Sequence, residues 1–439
     1  MTVETTEAAK AAEPRVRRVL IADLGAHLGE AVHVRGWLHA IRSLGRTNFV
    51  ILRDGSGLIQ IVTPAERLAQ LGPLESSVAV EALVSADPRA PLGVELTEPR
   101  FAMLAPASGP PLIDLTKPHL PGGLPFLLDH ASVALRHPTR REAARLSSAL
   151  VRGFRSELEA LGFQEVFTPK ILGTATEGGA HVFPLDYFGR PAFLAQSPQF
   201  YKQMLVGAFE RVYEVGPVFR AEPHDTARHL SQYTSLDAEL GFIDSWRDVA
   251  AVLAHVMAAM MASAHTAVPS VAVPAVPETL PMVHFQDALQ LAGRGLGENL
   301  DGEPDLAPAH ERWLSEWAAR EHGSDFLLVV GYPLAHRPFY THPDPEHPGC
   351  SASFDLLFRG QEIVTGGQRL HRYTDYLAAL AARGFDAAPY QSYLEAFRTG
   401  MPAHGGFAIG LERVVQKILG AANIREVCLF PRDVHRLQP

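Results

Sequence analysis

The stretch Phe219–Glu222, with the sequence FRAE, precedes a loop that ends at His229 and the segment Ser235–Glu239, with the sequence SLDAE. If both segments are strands, Arg220 and Glu222 share one face of the first strand, because side chains alternate along a strand. On the second strand, the hydroxyl and acidic side chains share one face. The other face would carry Leu236, Ala238, Leu240 and Phe242. The pattern predicts a sheet with an apolar back and a polar front that lines a pocket. A surface hairpin with solvated charges would also fit the tetrapeptide alone.

The composition is that of an ordinary globular protein, with 439 residues of which 47% are hydrophobic. This length is enough for two or three domains. The sequence holds no uninterrupted run of about 18 apolar residues, and its beginning lacks the apolar segment of a signal peptide. We therefore expect a cytoplasmic protein without membrane contact. The formal net charge of −9 argues against a generally basic surface, although a local basic groove is enough for binding a nucleic acid.

The two cysteines, Cys350 and Cys428, give no disulfide framework. His342 and His347 lie close enough to Cys350 in sequence to suggest zinc. Prolines interrupt this group and no second ligand pair follows it, so we do not favour a zinc site.

Changes of pattern along the chain predict an α+β protein with two folded domains. Residues 1–16 contain no aromatic side chain and are predicted to be disordered. Residues 17–105 show short alternating segments at the spacing of a five-stranded OB-fold barrel, a frame that commonly presents a strand face to single-stranded nucleic acid. Residues 106–135 begin with a proline-rich stretch and are predicted to be a linker or hinge. The second domain would comprise residues 136–439, in which we assign no chemistry to residues 282–335.

The segment Phe354–Ile363 predicts a hairpin with Arg359–Gly360 as a two-residue turn. In that register Leu357 lies opposite Glu362, and Asp355 projects from the same face as Glu362. Two carboxylates on one buried face repel each other unless a cation lies between them, and Mg²⁺ held by carboxylates and phosphates is the natural occupant. A solvated hairpin face is the alternative.

Two glycine-rich segments follow this hairpin. In Gly366–Arg369, the glycines allow close approach of a ligand and the planar guanidinium suits a carboxylate. Gly405–Arg413 predicts a strand that runs directly into a helix.

These segments resemble the signature motifs of class II aminoacyl-tRNA synthetases. FRAE with the loop ending at Arg228-His229 is similar to the second motif, and Gly405–Arg413 is similar to the third. A predicted amphipathic helix around Leu146–Leu161 and a strand Phe163–Thr168 ending at a proline resemble the first, which forms the dimer interface in that family. The resemblance implies an antiparallel catalytic sheet flanked by helices, after the N-terminal OB-fold barrel, in a homodimer.

Within class II, four segments resemble aspartyl-tRNA synthetases of the compact archaeal type, and the resemblance covers about residues 20–439. The four segments are Thr176–Gly179, Gln196–Lys202, Gly366–Arg369 and Phe430–Asp433. The chain departs from the family pattern at three positions. These are Ala408, where glycine is usual, Thr365, where serine is usual, and Leu370, where glutamate is usual.

The resemblance implies which residues bind each substrate. Aspartate would be bound by Glu177, Gln199, Lys202, Asp237 and Arg369. ATP would be bound by Arg220, Glu222, Arg228, His229, Glu362 and Arg413, of which Arg220 and Arg413 are the catalytic residues. Mg²⁺ would be bound by Asp355, Glu362 and Thr365. The implied reaction is ATP-dependent formation of aspartyl-adenylate, followed by transfer of the aspartyl group to the 3′ end of tRNA.

In the barrel, the resemblance implies an anticodon site. Its residues would be His39, Arg42, Phe49, Gln60, Pro91 and Glu95. Histidine and proline at positions 39 and 91 resemble nondiscriminating enzymes, which charge tRNA(Asn) as well as tRNA(Asp) and require a tRNA-dependent amidotransferase. The alternatives are that Phe49 is a core residue and that His39 and Pro91 are ordinary loop substitutions.

Two rival functions share much of this pattern. An asparaginyl-tRNA synthetase has the same motifs but binds a neutral amide, for which Lys202 beside Arg369 would be poorly used. A catalytically silent, RNA-binding paralogue would be expected to lose Arg220, Arg413 or the acidic pair, and all of them are present.

Overall fold

The computed structural model describes residues 18–44, 47–68, 71–90, 92–174 and 181–439. The chain divides into two compact units between His137 and Pro138. Residues 1–16, with their predicted disorder, and the predicted site residues Pro91 and Glu177 lie outside the described ranges.

Among the described residues of the first unit, five strands close into a barrel in the order β1-β2-β3-β5-β4. This confirms the predicted OB-fold architecture. The strands are β1 (Ala31–Leu44), β2 (Thr47–Arg53), β3 (Leu58–Thr63), β4 (Ser77–Ala86) and β5 (Val94–Ala105). The helices are α1 (Ala65–Leu68), α2 (Leu124–Asp129) and α3 (Ala131–Ala134).

Alternation along the barrel strands separates an inner apolar face from an outer face. Val50, Leu52, Ile59 and Ile61 point into the barrel and are almost completely buried. Their sequence neighbours, such as Gln60, lie on the outer face and are half-buried.

Residues 106–135, which follow the barrel, contain the short helices α2 and α3. Ile113 and Leu115 pack against Ala134 in a small apolar cluster. Ordinary side-chain burial therefore orders part of the segment for which the sequence predicts a linker or hinge.

The second unit is built on an eight-stranded sheet, counted over the described residues, in the order β12-β13-β14-β15-β16-β11-β10-β6. Its pairs are antiparallel except for β12 with β13 and β6 with β10. The strands are β6 (Gln164–Glu165), β7 (Ile171–Leu172), β8 (Pro184–Tyr187), β9 (Arg190–Leu194), β10 (Arg211–Phe219), β11 (Gln232–Gly241), β12 (Met282–His284), β13 (Phe326–Val330), β14 (Ser353–Phe358), β15 (Gln361–Gln368) and β16 (His404–Gly410). Strands β7, β9 and β8 form a separate small sheet.

Helices cover both faces of the large sheet. They are α4 (Pro138–Ala160), α5 (Gln199–Phe209), α6 (Trp246–Ala267), α7 (Phe285–Leu296), α8 (Pro308–His322), α9 (Tyr373–Ala382), α10 (Gln391–Leu394) and α11 (Leu411–Leu419). Leu328 packs in the same core as α4 and α6, whereas its neighbours Leu327 and Val329 pack with α7 and α8. Leu236, Ala238 and Leu240 face the first of these cores. The alternate residues of β11 must therefore face away from α4 and α6.

The predicted hairpin is confirmed. Leu357 pairs with Glu362, and Arg359 and Gly360 both have positive φ, as a two-residue turn of this kind requires.

Three local predictions are wrong. Strand β10 ends at Phe219, so Arg220 and Glu222 lie in the following loop and not on a strand face. The strand predicted over Phe163–Thr168 is reduced to β6, because only Gln164 and Glu165 find a partner strand. Phe242 does not join the apolar back of β11, because the chain turns there with φ of 55° and leaves the ring 74% exposed.

In the described part of the chain, helix α6 is long and apolar enough to cross a membrane by length and composition alone. Alanines and methionines raise its mean hydropathy although the run is interrupted by polar residues. One face of α6, including Leu253 and Met257, is buried in the same core as α4. This packing is that of a core helix of a globular domain.

Helices α4 and α6 approach so closely that Gly153 has no room for a side chain. A Cβ at Gly153 would lie 2.6 Å from the carbonyl oxygen of Ala259 and 2.7 Å from the Cα of Met260, both backbone atoms. Gly153→Ala should therefore destabilise the protein by about 1–3 kcal/mol, although the same change in an exposed helix stabilises by up to about 1 kcal/mol. Chemical denaturation measures this, with the exposed Ser156→Ala on the same helix as the matched control. An unchanged or increased free energy of unfolding would contradict the packing.

Candidate active site

A cavity with about 720 Å³ of empty space, part of it open to solvent, lies over β11, β15 and β16. Its lining includes seven residues that the sequence assigns to ATP or Mg²⁺. They are Arg220, Glu222, Arg228, His229, Glu362, Thr365 and Arg413. The structure therefore brings these seven residues together from three separate parts of the chain, whereas Asp355, the remaining residue of the predicted set, does not line the cavity.

The loop after β10 supplies one wall of the cavity. Arg220 and Glu222 form an ion pair with 4.0 Å between Nη1 and Oε1, and the Arg220 guanidinium lies 5.7 Å from the centre of the Tyr233 ring. Nδ1 of His229 lies 2.6 Å from the Thr226 hydroxyl oxygen. Burial, assisted by nearby Arg413, lowers the pKa of His229, so this imidazole is neutral at pH 7.

The opposite wall comes from β15 and from the start of α11. Arg413 donates from Nη1 to the carbonyl oxygen of Glu362 at 3.1 Å, and the same nitrogen lies 3.8 Å from its carboxylate. Burial acts to raise the pKa of Glu362, but Arg413 and the Thr365 hydroxyl outweigh it and hold this pKa below its ordinary value. Glu362 is therefore an anion at pH 7, within reach of a cation in the cavity.

Asp355 and Glu362 provide donors that fit a divalent cation. Oδ1 of Asp355 is buried and has no hydrogen-bond partner in the described part of the chain, while its Oδ2 accepts from Arg337 at 2.7 Å. Burial, with Glu362 adding to it, raises the pKa of Asp355 to about 6 against the effect of Arg337. The Thr365 hydroxyl donates to Glu362 at 2.8 Å, so the hydroxyl of the usual serine is retained. An orphaned carboxylate oxygen beside a second carboxylate matches the oxygen ligands that Mg²⁺ prefers.

Next to this cavity, four charged side chains are buried together on β11, α5 and the end of β15. Nζ of Lys202 donates to Asp237 at 3.0 Å and lies 3.3 Å from Glu239. Nε of Arg369 donates to Glu239 at 3.0 Å, and its Nη2 donates to the carbonyl oxygen of Gly406 at 3.0 Å. Lys202 is only 1% exposed. Burial of this kind is tolerated only where each charge has a partner.

The two cations differ in what they can still bind. Lys202 has three donors and three neighbouring acceptors, because the carbonyl oxygen of Phe407 lies 3.3 Å away. Nη1 of Arg369 makes no hydrogen bond to any described residue, so a ligand carboxylate can be bound there. Nε2 of the buried Gln199 is also without a partner in the described ranges. Three of the predicted aspartate residues thus meet in one cluster, with Gln199 on the same helix as Lys202, while Glu177 lies outside the described residues.

Ala408 joins the two halves of the site. It is paired with Asp237 on one side and with Thr365 on the other, in the sheet order β11-β16-β15. Its methyl group lines the cavity where the family usually has glycine.

A buried network of uncharged polar groups lies behind the charged cluster. Nε2 of Gln203 donates to Tyr376 and contacts Nε2 of His404, each at 3.0 Å, and Tyr393 donates to the Gln203 carbonyl at 2.9 Å. The carbonyl oxygen of His404 in turn accepts from the backbone N–H of Arg369 at 2.9 Å. The network therefore connects α5, which carries Lys202, to the residue that presents the second cation.

In the first unit, four predicted anticodon residues share the outer face of the barrel. Phe49 pairs with Arg42 across β1 and β2 and is half-buried, outside the apolar core of the described barrel residues. Nε2 of Gln60 donates to Glu95 at 2.9 Å. The prediction that Phe49 is available on a strand face is thus consistent with its position, and the core alternative loses support.

His39 differs from these four residues because it is buried. It is 8% exposed, lies at the bulge of β1, and its Nδ1 is 4.0 Å from the carboxylate of Glu75. Glu75 also accepts from Arg53 at 2.6 Å and from Arg136 at 2.8 Å. Burial, assisted by Arg53, lowers the pKa of His39. Any effect of His39 on tRNA choice would therefore act through these neighbours.

Three residues at the site are missing from the sequence predictions. Glu239 shares its strand face with Asp237. The alternation of side chains predicted this position, but the sequence assigned Glu239 no role. Arg337 follows a segment that gave no readable pattern. Glu311 comes from α8 at helical spacing from the buried Leu314 and Ala318, so a charge in the apolar register of a helix was the available signal.

His347 does take part in a group of possible metal ligands, but with Asp344 and Glu346 rather than with Cys350. The ligand atoms lie within 4.8 Å of one another on an exposed loop. Such groups are common without a metal, and this one is apart from the residues described above.

Comparison with known proteins defines the class. The model of the family "tRNA synthetases class II (D, K and N)" matches residues 125–434, and that of the "OB-fold nucleic acid binding domain" matches residues 32–101. The first match covers more than half of the chain. The protein belongs to the class II aminoacyl-tRNA synthetases, enzymes that use ATP as a substrate and tRNA as a partner.

The individual relatives are similar over almost the whole chain. The Aspartate–tRNA(Asp/Asn) ligase of Thermus thermophilus is 44% identical over 429 residues, which is 96% of this chain and 100% of the relative. The ligase of the same description from Deinococcus radiodurans is 42% identical, over 97% of this chain and 99% of the relative. Among solved structures, the asparaginyl-tRNA synthetase of Pyrococcus horikoshii complexed with asparaginyl-adenylate has a TM-score of 0.88 at 29% identity, covering 96% of this chain and 100% of that one.

The network behind the site predicts a specific dependence of stability on pH. Burial lowers the pKa of His404 to about 4, against an ordinary value of 6.5. Above pH 6.5 the imidazole is neutral in both states. Between pH 6.5 and 4 only the unfolded chain is protonated, so stability falls as pH falls, by about 1.4 kcal/mol per pH unit. At pH 5 this amounts to roughly 2 kcal/mol.

Urea denaturation of the native protein and of His404→Gln at pH 7.5 and pH 5 measures this term. The native protein should lose roughly 2 kcal/mol more than the variant over this interval. His265→Gln, at an exposed position on α6, is the matched control and should behave like the native protein. Equal losses in native protein and His404→Gln would show that His404 is not held neutral.

Proposed function

We propose that this chain is an aspartate–tRNA ligase, which activates L-aspartate with ATP and transfers the aspartyl group to the 3′ end of tRNA. The observation that supports this most strongly is that the cavity lined by arginines lies next to a buried site, in which Arg369 has free donors for a carboxylate. The relatives from Thermus and Deinococcus, which carry this activity in their names, support the same conclusion.

The residues of the cavity divide the work of activation. The α-carboxylate of an amino acid is already ionised at pH 7, so its attack on the ATP α-phosphate requires positioning and charge neutralisation more than a base. Arg220 and Arg413 line the cavity from opposite sides and would stabilise the charge on the α-phosphate and on the γ-phosphate respectively. Glu222, Arg228 and His229 complete the ATP site.

Asp355, Glu362 and Thr365 would hold Mg²⁺. When bound, the ion would supply positive charge that neutralises the phosphates. Arg337 holds one oxygen of Asp355 in place and leaves the other for the ion. The pairing of Thr365 with Glu362 fixes the second carboxylate.

Selection of the amino acid follows from the buried cluster. Arg369 would bind the side-chain carboxylate of aspartate through Nη1, and Glu239 fixes the plane of the guanidinium. Lys202, with Asp237, would set the local charge, and Gln199 with Glu177 would bind the amino-acid backbone. An asparagine amide would place its NH₂ donor against one of these cations, which favours aspartate over the asparagine used by the solved relative.

The decisive experiment is ATP–pyrophosphate exchange with the full chain. We expect exchange with L-aspartate that exceeds exchange with L-asparagine by at least about 10³ in kcat/KM, since sites built on buried polar pairs reach about 10⁴. Arg413→Ala should abolish exchange at an unchanged melting temperature. Preference for asparagine would establish the rival synthetase, and absence of exchange with either amino acid would establish the silent paralogue.

The outer barrel face supports a role in anticodon binding. Phe49 would stack on an anticodon base, with Arg42, Gln60 and Glu95 contacting base edges. This face is partly exposed among the described residues, as binding of an anticodon requires. His39 and Pro91 are included in the proposed site as residues that shape it, the former through Glu75.

We further propose that both tRNA(Asp) and tRNA(Asn) are charged, as the names of the Thermus and Deinococcus relatives state for those proteins. Aspartylation of the two purified tRNAs should then proceed with kcat/KM values within about tenfold of each other. A preference above about a hundredfold for tRNA(Asp), equivalent to roughly 2.8 kcal/mol, would overturn the proposal.

Phe49→Ala tests the barrel face separately from tRNA choice. Loss of one stacked base should lower kcat/KM for both tRNAs by about 10- to 100-fold, since such stacking contributes about 1–3 kcal/mol. Pyrophosphate exchange should be unchanged and serves as the internal control. A variant with native aminoacylation would exclude stacking on Phe49.

We also propose that the protein forms a homodimer. A homodimer would cover apolar side chains that are exposed on the second unit, such as Phe167 and Ile171 beside the predicted first motif, and light scattering would show about twice 47.7 kDa. We also propose a cytoplasmic location and, because aspartyl-tRNA(Asn) must be converted before translation, a tRNA-dependent amidotransferase as a functional partner.

A further inference from the structure

Helix α8 places a carboxylate, that of Glu311, directly behind the ATP cavity. Glu311 is 6% exposed and lies in the first turn of the helix. Both of its oxygens accept hydrogen bonds from Nη2 of Arg228, at 3.0 and 2.7 Å. Its Oε2 also accepts from the backbone N–H of Glu362 at 3.3 Å. The carboxylate thus contacts two residues of the proposed ATP site without lining the cavity itself.

Burial of this carboxylate opposes folding, because a charge is removed from water. Glu311 is almost completely buried, and Arg228 is the positive charge that it contacts, at 2.7 Å. A glutamine or an apolar residue of similar size would fill the same space without the cost of burying an ion. The carboxylate is therefore better explained by what it does to Arg228 than by packing.

The Arg228 side chain needs an anchor, meaning a contact that fixes its conformation. Arg228 lies in the loop after β10, next to Thr226, whose hydroxyl accepts its backbone N–H at 3.2 Å. Its side chain is 20% exposed and lines the cavity. A long side chain on such a loop has many rotamers, and binding a phosphate with it would cost conformational entropy unless the side chain is already ordered.

The anchor leaves the binding end of Arg228 available. Both bonds to Glu311 are donated by Nη2, and in the described part of the chain Nε and Nη1 of Arg228 have no hydrogen-bond partner. A guanidinium has five donors in a fixed plane, so holding one nitrogen also fixes the direction of the others. Glu311 can therefore orient Arg228 and remain bound to it while a phosphate occupies the other edge.

We propose that Glu311 is a positioning residue of the ATP site, which orients the Arg228 guanidinium for the triphosphate and supports the backbone at Glu362. This rests on the proposed role of Arg228 in ATP binding. Glu311 acts only through these two neighbours, so it affects the use of ATP and leaves aspartate binding unchanged. It also gives a function to a helix in the part of the chain to which the sequence assigns none.

Glu311→Gln is the first variant to measure, because it keeps the shape and one acceptor oxygen but removes the charge. In pyrophosphate exchange by the full chain, KM for ATP should rise at least fivefold, while KM for aspartate stays within twofold. Glu316→Gln, an exposed glutamate on the same helix, is the matched control and should leave both values unchanged. An unchanged KM for ATP in Glu311→Gln would overturn the proposal. Equal rises in the two KM values would also overturn it, since they would indicate a general structural effect.

A double-mutant cycle with Arg228→Met then tests the route of action. If Glu311 works through Arg228, Glu311→Gln should change KM for ATP by less than twofold in the Arg228→Met background. A fully additive effect would overturn the positioning role. An Arg228→Met variant with native KM for ATP would refute the proposed role of Arg228 itself, and the inference with it. A large effect of Arg228→Met with none of Glu311→Gln would refute the inference alone. In Arg228→Met, Glu311 is buried without its partner, which can lower stability. The double variant removes both charges, so KM for ATP can still be measured without Arg228.

Discussion

The ion pairs among Lys202, Asp237, Glu239 and Arg369 impose the strongest constraint on this structure. All four side chains are buried, so each requires a partner of opposite charge at hydrogen-bond distance. Burial acts to raise the pKa of Glu239, but Arg369 and Lys202 together hold it below its ordinary value. The relative positions of α5, β11 and the end of β15 are therefore held precisely, because hydrogen-bond distances allow little variation. That precision is what a small polar substrate requires.

The fold separates this charged layer from the apolar one by the alternation of β11. Leu236, Ala238 and Leu240 enter the core beneath α4 and α6, so Asp237 and Glu239 must lie on the opposite face. A shift of register by one residue would exchange the two layers and bury unpaired carboxylates among leucines. Apolar burial and site geometry thus select the same register, and each reinforces the other.

The sequence predicts what depends on short-range pattern and fails where remote segments meet. The pairing of Leu357 with Glu362 follows from a two-residue turn and local alternation, and so does the barrel. The contact of Glu311 with Arg228 joins residues 83 positions apart, and no local rule predicts which helix covers the cavity. The burial of His39 depends on Glu75 in the same way. Arg220 lies beyond the end of its strand because the pairing of β10 with β11 stops at Phe219, which composition does not reveal.

The charge balance of the aspartate site bears on its selectivity. Lys202 and Arg369 are matched by Asp237 and Glu239, so the four groups sum to zero and give no net attraction for a carboxylate. Selection must then arise from the direction of the remaining donors, of which Nη1 of Arg369 is the one without a described acceptor. A carboxylate can accept there with either oxygen, whereas an amide must turn its NH₂ group away and find an acceptor for it. Both carboxylates face the two cations, and Oε2 of Glu239, which lies 3.3 Å from Nζ of Lys202, is a buried acceptor without a hydrogen-bond partner among the described residues. An amide whose NH₂ group did not reach such an acceptor would leave a buried donor unsatisfied, at a cost of about 1–3 kcal/mol. Discrimination against asparagine by this arrangement therefore depends on the position of the acceptors as much as on the cations themselves.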